Sequence, residues 1–543
     1  MNQCVLKAIL LAVGAAAMVT VVTLAFYLVN DNDDEKQLRY SISSVNFPEN
    51  VRNIDYSHYT ATNKIVFTYF DTITNESYMA IIDDDGTNLK NIYKGEIKPI
   101  YKSNGVRIMP FEDNKRLLLG DFILECTPDI DSADIEQTKL VPIEYPEKIV
   151  NDENTLVLWS EIIISPDNKV MAWSTLHMIA GAINFIAEIE RAEDKYVLNN
   201  VKIISDLAYY KVDKDGYITV PSRIRGGEIK QFTAGGTKAT LAGAGKQGLA
   251  KSVVQDLDGE EVVELSHEPG YDETTIISPD GKLGVVMSTR FSPKTSCAIL
   301  GLLPRPLSTF TVMTMNRYVY SYAVAGVRKT RIGNIGPALI EIEKSKNDYD
   351  YHGFDLHDPE QVWVYYSPMS WHTSSTKAIW IEGNRNTGEK RVRMVQIENY
   401  PSGSPETVQS TIIDKIPYAQ DISALDDIPP RYVEGKIAGY KNESYIDYSF
   451  QLTSARSDYH NFSEDGKTFA NGYEMFNMNT TTGEIFYQGQ VKLTGEKTGE
   501  MDFRITFSSA NNLLFENGDD GKPKTYGYST YNGKTINVDE MSE

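Results

Sequence analysis

An all-β fold is predicted by three features of the sequence. A short apolar strand, a tight polar turn and a second apolar run recur at intervals of about fifty residues, the period of a four-stranded repeat. Long helical patterns are few. Tyr and Gly number 33 and 38 in 543 residues, a usage that favours strands and turns. A single four-stranded unit cannot bury both its faces, so such units close into a ring. The sequence therefore predicts a six-bladed β-propeller over 51–425, with seven blades as the alternative. A C-terminal antiparallel β domain over 430–543 follows it, and an N-terminal transmembrane helix precedes it.

The elements follow in order. A short cytoplasmic N-terminus, 1–7, ends on Lys7 and leads into an unbroken apolar run over 8–29. At about 1.5 Å per residue this run spans a bilayer. Its small residues, 14–17, lie in the middle rather than at a cleavage site, which favours an uncleaved anchor over a cleaved signal. Positive charge before the run and Asp31-Asn32-Asp33-Asp34-Glu35 after it orient the rest outward, to the extracellular or periplasmic side. Cleavage would make the protein secreted. Residues 30–50 read as a polar stalk.

The repeated hairpins fall at 56–67, 107–117, 161–170, 228–238, 266–288 and 369–380. The clearest carry Ser165-Pro166-Asp167-Asn168 and Ser278-Pro279-Asp280-Gly281, where proline presets the first corner and glycine accepts positive φ. An insertion at 300–362 breaks the period, and a loop of that length is expected to cover a site or make a contact. A similar turn at 461–467 supplies the seven-bladed alternative. Ile428-Pro429-Pro430 reads as a linker, and alternating strands at 445–453, 484–493 and 501–507 as a separate antiparallel sheet.

Composition narrows the partners. The chain carries 75 acidic against 53 basic residues, a net charge of −22, and such a surface repels phosphate backbones, so nucleic acid is not an expected partner. Cys126 and Cys297 either pair or remain buried thiols. His352 and His357, or His267 and His372, match no helical zinc spacing, so no metal site is assigned. No phosphate loop, dinucleotide fingerprint or Gly-x-Ser-x-Gly elbow is present, and no cofactor is expected.

In a propeller the first strand of each blade lines the central channel. Residues just before each turn are therefore the ones that converge: Asp55 and His58, Arg107, Glu161, Glu228, and Asp272 with Glu273. Paired carboxylates are the minimum equipment for glycoside hydrolysis, one donating a proton and the other attacking or activating water. Crowding is expected to raise some of their pKa values. Glu228 and Glu273 are assigned as the catalytic pair, with Asp272 and Glu161 as substitutes. Arg107, Arg290 and His267 are assigned to orient a sugar acid, with His58 and Asp55 beside them.

The Ser-Pro-Asp-Gly blades resemble the TolB-type (PD40) propeller repeat. The order of 111–119, 121–128 with Cys126, 161–173, 228–241, 267–290 and 461–472 is similar to secreted saponin hydrolases. That resemblance implies a glycosidase acting on a glucuronate-bearing conjugate, so the substrate expected is a glycoside or glycoconjugate. The acidic stalk, the anchor-like N-terminus and the altered insertion depart from that pattern. Two rivals stand beside the hydrolase. One is a non-catalytic propeller that binds a protein or peptide, with the C-terminal β domain as a further contact surface. The other is a uronate lyase, which would need a histidine-rich metal site.

Overall fold

The computed structural model describes residues 37–207, 211–219, 227–244, 250–266, 271–291, 327–329, 333–348, 351–360, 362–428, 432–451, 453–478, 484–507, 524–531 and 534–538. The predicted membrane helix lies outside them. Among the described residues no helix is long and apolar enough to cross a membrane.

Six four-stranded antiparallel units form the propeller. Blade 1 runs Val51–Tyr59, Ile65–Asp71, Glu76–Ile82 and Lys90–Lys94. Blade 2 is Met109–Pro110, Arg116–Leu118, Phe122–Cys126 and Thr138–Glu144. Blade 3 is Thr155–Ile164, Val170–His177, Gly181–Arg191 and Tyr196–Ile203. Blade 4 is Glu228–Thr233, Lys238–Ala244, Ala250–Asp256 and Val262–Glu264. Blade 5 is Asp272–Ile277, Leu283–Ser288, Ala338–Glu341 and Phe354–Asp355. Blade 6 takes Trp363–Trp371, Lys377–Asn384 and Lys390–Ile397, and its outer strand is Tyr40–Ser44 from the other end of the chain.

Alternation along each strand explains why the units stack. Successive side chains point to opposite faces, so a strand apolar on both faces serves two neighbours. In blade 1, Ile65 and Phe67 pack with Ile379 and Ile381 of blade 6, while Val66 packs with Leu117 and Leu124 of blade 2. Hydrogen bonds join every adjacent pair. Thr62 Oγ1 donates to Asp131 at 3.0 Å between blades 1 and 2, and Glu112 N to Asn168 Oδ1 at 2.8 Å between 2 and 3. Ile229 N meets Ser174 Oγ at 2.8 Å, Ile277 N meets Gln231 Oε1 at 2.7 Å, and Trp371 Nε1 meets the Ile276 carbonyl at 2.8 Å. Tyr59 N donates to Ser370 Oγ at 3.0 Å and closes the ring between blades 1 and 6.

The turn after each inner strand shares one requirement, a residue with positive φ. It is met by Asn63 (67°), Asn114 (55°), Asn168 (63°), Gly235 (66°), Gly281 (74°) and Ser375 (59°). Asparagine tolerates the left-handed region because its short side chain bonds locally. In blades 3 and 5 the turn serine also accepts the backbone N–H of the strand that follows, Val170 N to Ser165 Oγ and Leu283 N to Ser278 Oγ, each at 2.9 Å.

Three sequence readings change here. The stalk expected over 30–50 contains a blade strand, Tyr40–Ser44. The insertion expected over 300–362 contains the third and fourth strands of blade 5, so the extra sequence falls between its second and third strands. Among the described residues there is no seventh blade. Ser463, Asp465 and Gly466 form the same kind of turn, with φ 74° at Gly466, but that turn joins Ser454–Phe462 to Thr468–Met478 in the C-terminal sheet.

The C-terminal sheet is an eight-stranded antiparallel meander: Val433–Ala438, Tyr445–Gln451, Ser454–Phe462, Thr468–Met478, Ile485–Gly495, Gly499–Phe507, Tyr526–Tyr531 and Lys534–Asn537. Its first strand touches a small hairpin, Lys211–Val212 with Ile218–Thr219, that leaves the propeller between blades 3 and 4; Lys436 N donates to the Gly216 carbonyl at 2.9 Å. The connection from blade 6 to this sheet runs beneath the turns of blades 5 and 4. Glu406 N bonds the Pro279 carbonyl and Gln409 N the Gly235 carbonyl, each at 2.8 Å, before Gln420–Asp421 pairs with blade 3.

Deleting 40–44 from the full chain removes the strand that fastens blade 6. Scanning calorimetry should then show an unfolding temperature several degrees lower and earlier proteolysis within 363–397. An unchanged transition would show that blade 6 closes without it.

Candidate functional site

The inner strands are irregular where they approach the channel. Pairing with the second strand shifts between Val157 and Glu161, between Ile229 and Gln231, between Asp272 and Thr275, and between Tyr366 and Met369. Such bulges re-aim side chains, and Lys230 and Glu273 sit within two of them. Gly227, just before Glu228, has φ 101°, and a Cβ there would lie 1.8 Å from the Ala242 carbonyl oxygen. Only glycine lets the chain enter blade 4 this close to its neighbour.

Lys230 is the centre of the site. Its Nζ lies 2.8 Å from Glu161 Oε1, 2.9 Å from Glu228 Oε2 and 3.5 Å from Glu273 Oε1. Three consecutive blades thus present a carboxylate to one ammonium. Arg107, on the approach to blade 2, pairs with the other oxygen of Glu161. The Tyr271 hydroxyl donates to Glu273 Oε2 at 2.6 Å. The Lys230 side chain is 1% exposed, whereas Glu228 keeps 24%, Glu273 17% and Arg107 14% of their side-chain surface. The cation and Glu161 are sealed, and Glu228 and Glu273 retain access.

Charge compensation sets the protonation states. Burial works against the Lys230 ammonium, but Glu161, Glu228 and Glu273 raise its pKa above the usual lysine value. Burial pushes the Glu228 carboxyl up; Lys230, the Ser160 hydroxyl and Arg107 outweigh it and hold Glu228 below the usual range. The expected upward shift from crowded carboxylates is therefore absent at Glu228, because a cation stands among them. Burial drives the His58 imidazole down to about 4, Arg107 adding to the effect, so the ring is neutral. His58 Nδ1 faces the Tyr59 carbonyl at 2.8 Å and Ser370 Oγ at 3.1 Å.

The other assigned residues lie apart from Lys230. Asp272, fully buried, pairs with Arg290 Nη2 at 3.0 Å and Lys251 at 3.6 Å rather than with Lys230. Arg290 also bonds Ser266 and Ser288, so both ends of this pair are committed to blade structure. Asp55 pairs with Lys390 of blade 6. His267 and Cys297 lie outside the described residues. Cys126 is buried, which pushes its thiol up to about 12. Among the described residues no group of three or more His, Cys, Asp or Glu side chains is placed to hold a metal ion.

Sequence reasoning missed Lys230, Tyr271 and Tyr365. A signal for Lys230 was available: it stands two residues after Glu228 on a strand, and that spacing puts both on one face. Tyr365, on the inner strand of blade 6, is 0% exposed, and among the described residues its hydroxyl has no hydrogen-bond partner.

The fold and site together define a six-bladed propeller with a charged cluster near its axis. No protein-family model matches the sequence, and no curated protein matches it. Among solved structures, TolB from Acinetobacter baumannii is similar at 10% identity over 67% of this chain and 81% of its own, with a TM-score of 0.29. Oligogalacturonate lyase from Vibrio parahaemolyticus is similar at 10% identity over 70% and 98%, TM-score 0.35. The β-propeller domain of the Trilobed protease from Pyrococcus furiosus is similar at 9% identity over 62% and 79%, TM-score 0.28. The blade count rests on this chain's own sheet order, and the expected likeness to saponin hydrolases is not shown by these comparisons.

His58 gives a pH test. A histidine whose folded value lies at about 4, against an ordinary 6.5, contributes its full stability above pH 6.5 and loses it as the pH falls toward 4. The unfolded chain takes the proton first. His58→Gln should flatten the fall in unfolding temperature across that window relative to wild type. Parallel profiles for the two proteins would contradict the buried, neutral ring.

Proposed function

We propose that the protein is a membrane-tethered, outward-facing glycoside hydrolase of the saponin-hydrolase-like kind, acting on a uronate-bearing glycoconjugate at the axial cluster. The observation that carries this reading is the convergence of Glu161, Glu228 and Glu273 on Lys230 while Glu228 and Glu273 keep accessible surface. Glu228, held ionised, suits the carboxylate that attacks or activates water. Glu273 is the partner that delivers the proton to the leaving oxygen. Arg107 and Lys230 fix the carboxylates rather than the sugar. Asp272 and Arg290 leave the reacting set, since each is consumed by the other.

A second reading is favoured by one observation. Every carboxylate of the cluster already has a cation, and Glu228 is shifted away from the value a general acid needs. In that reading the propeller binds a protein or peptide without catalysis, and the cluster fastens blades 3, 4 and 5.

The two separate by product analysis. Full-length protein is incubated with a panel of glucuronide and other glycoside conjugates, with and without chelator, and products are read by mass spectrometry. Glu228→Gln and Glu273→Gln should each lower turnover by about 10²–10⁴-fold, the range for a lost acid or base, with unfolding still cooperative. Unchanged rates in both variants would remove the assignment. A product lacking the added water, lost on chelation, would favour the lyase, and no turnover across the panel the binding reading.

A further inference from the structure

The sequence assigns Arg107 and Arg290 to hold the acidic group of a ligand, and the structure commits both elsewhere, to Glu161 and Asp272. Another cation stands beside the cluster. Arg328 stacks its guanidinium over the Tyr366 ring at 4.7 Å and donates from Nε to the Tyr365 carbonyl at 3.4 Å. Among the described residues no carboxylate pairs with it. The stacked ring and the Nε bond fix the plane of the guanidinium and leave its two terminal nitrogens to donate.

Tyr365 adjoins it on the innermost strand of blade 6. Its side chain is fully buried, yet among the described residues its hydroxyl has no hydrogen-bond partner. A buried hydroxyl left unpaired costs free energy, and each such group in a folded protein calls for an explanation. Tyr365 packs in the same buried cluster as Tyr271, whose hydroxyl donates to Glu273 of the axial site, and the charges that act on the Tyr365 hydroxyl are those of Arg328, Glu273, Arg107 and Lys230. Burial raises its pKa above the usual tyrosine value, so it is a neutral donor.

We propose that Tyr365 and Arg328 form the anion-holding end of the axial site, where a carboxylate of the ligand accepts from the Tyr365 hydroxyl and the Arg328 guanidinium. This rests on the axial cluster being the working site and deepens that reading: blade 6 holds the acid group while blades 4 and 5 supply the reacting carboxylates. A planar guanidinium with an adjacent hydroxyl matches a carboxylate better than a neutral hydroxymethyl group. The site should therefore distinguish a uronic acid from the corresponding neutral sugar.

The test is calorimetric titration of the full chain with methyl β-glucuronide and with methyl β-glucoside, on wild type, Tyr365→Phe and Arg328→Gln. Wild type should prefer the glucuronide, and each substitution should weaken its binding about tenfold or more, the scale of a hydrogen bond to a charged group, with little change for the glucoside. Tyr365→Phe should also unfold at or above the wild-type temperature, because it removes a hydroxyl that the folded protein leaves unpaired. A merely structural role would give the reverse, lower stability with the preference intact. Preference retained in both variants, or absent from wild type, overturns the proposal. Hydrolysis of neutral glycosides that still depends on Glu228 would, in either case, leave the hydrolase reading standing without the clamp.

Discussion

One buried ammonium organises the centre of this molecule. Taking a charge out of water costs several kcal/mol even after relaxation, and the cost is met only when partners are close and well placed. Lys230 meets that condition with carboxylates from its own blade and both neighbours. None of these groups can be buried comfortably without the others. Their mutual dependence fixes the spacing of blades 3, 4 and 5 at the channel, and through Arg107 it extends to the approach to blade 2. The ring elsewhere is held by apolar surfaces between blades, by hydrogen bonds and by ion pairs such as Asp55–Lys390 and Asp84–Lys377 between blades 1 and 6.

The same constraint shapes the chemistry available. Carboxylates crowded without a cation would push one another toward the protonated state. With Lys230 among them, Glu228 stays ionised, which favours an attacking or orienting role over proton donation. A fully paired cluster is also a good structural staple. The proposed hydrolase and the binding alternative therefore part in whether Glu228 and Glu273 turn over a substrate or only fasten blades 3, 4 and 5.

The fold was legible where local chemistry repeats. Ser-Pro-Asp-Gly and Ser-Pro-Asp-Asn mark two turns outright, and the degenerate copies keep the one feature the backbone demands, a residue able to hold positive φ. Tyr40–Ser44 was not legible as a blade strand, because its partner, Lys390–Ile397, lies at the far end of the propeller sequence and nothing local announces the pairing. The turn at Ser463 misled for the opposite reason: it repeats the local chemistry of a blade turn in a different sheet. In the site, Glu161, Glu228, Glu273 and Arg107 were found by asking which side chains precede each turn. Asp272 adjoins Glu273 in sequence but pairs with Arg290 and Lys251 instead of Lys230. Lys230 and Tyr365 were not legible, because a lysine or tyrosine on a strand carries no local mark of its partners, and an unsatisfied hydroxyl appears only in three dimensions.

The central claim is that Lys230 binds carboxylates across blades rather than merely lying near them. A double-mutant cycle with Lys230→Met and Glu161→Gln, read by denaturant unfolding, tests it most directly. The account predicts a coupling of about 1–3 kcal/mol, each single change being more harmful than the second change made after it. Additive effects, with coupling inside the ~0.3–0.5 kcal/mol expected of independent sites, would contradict it.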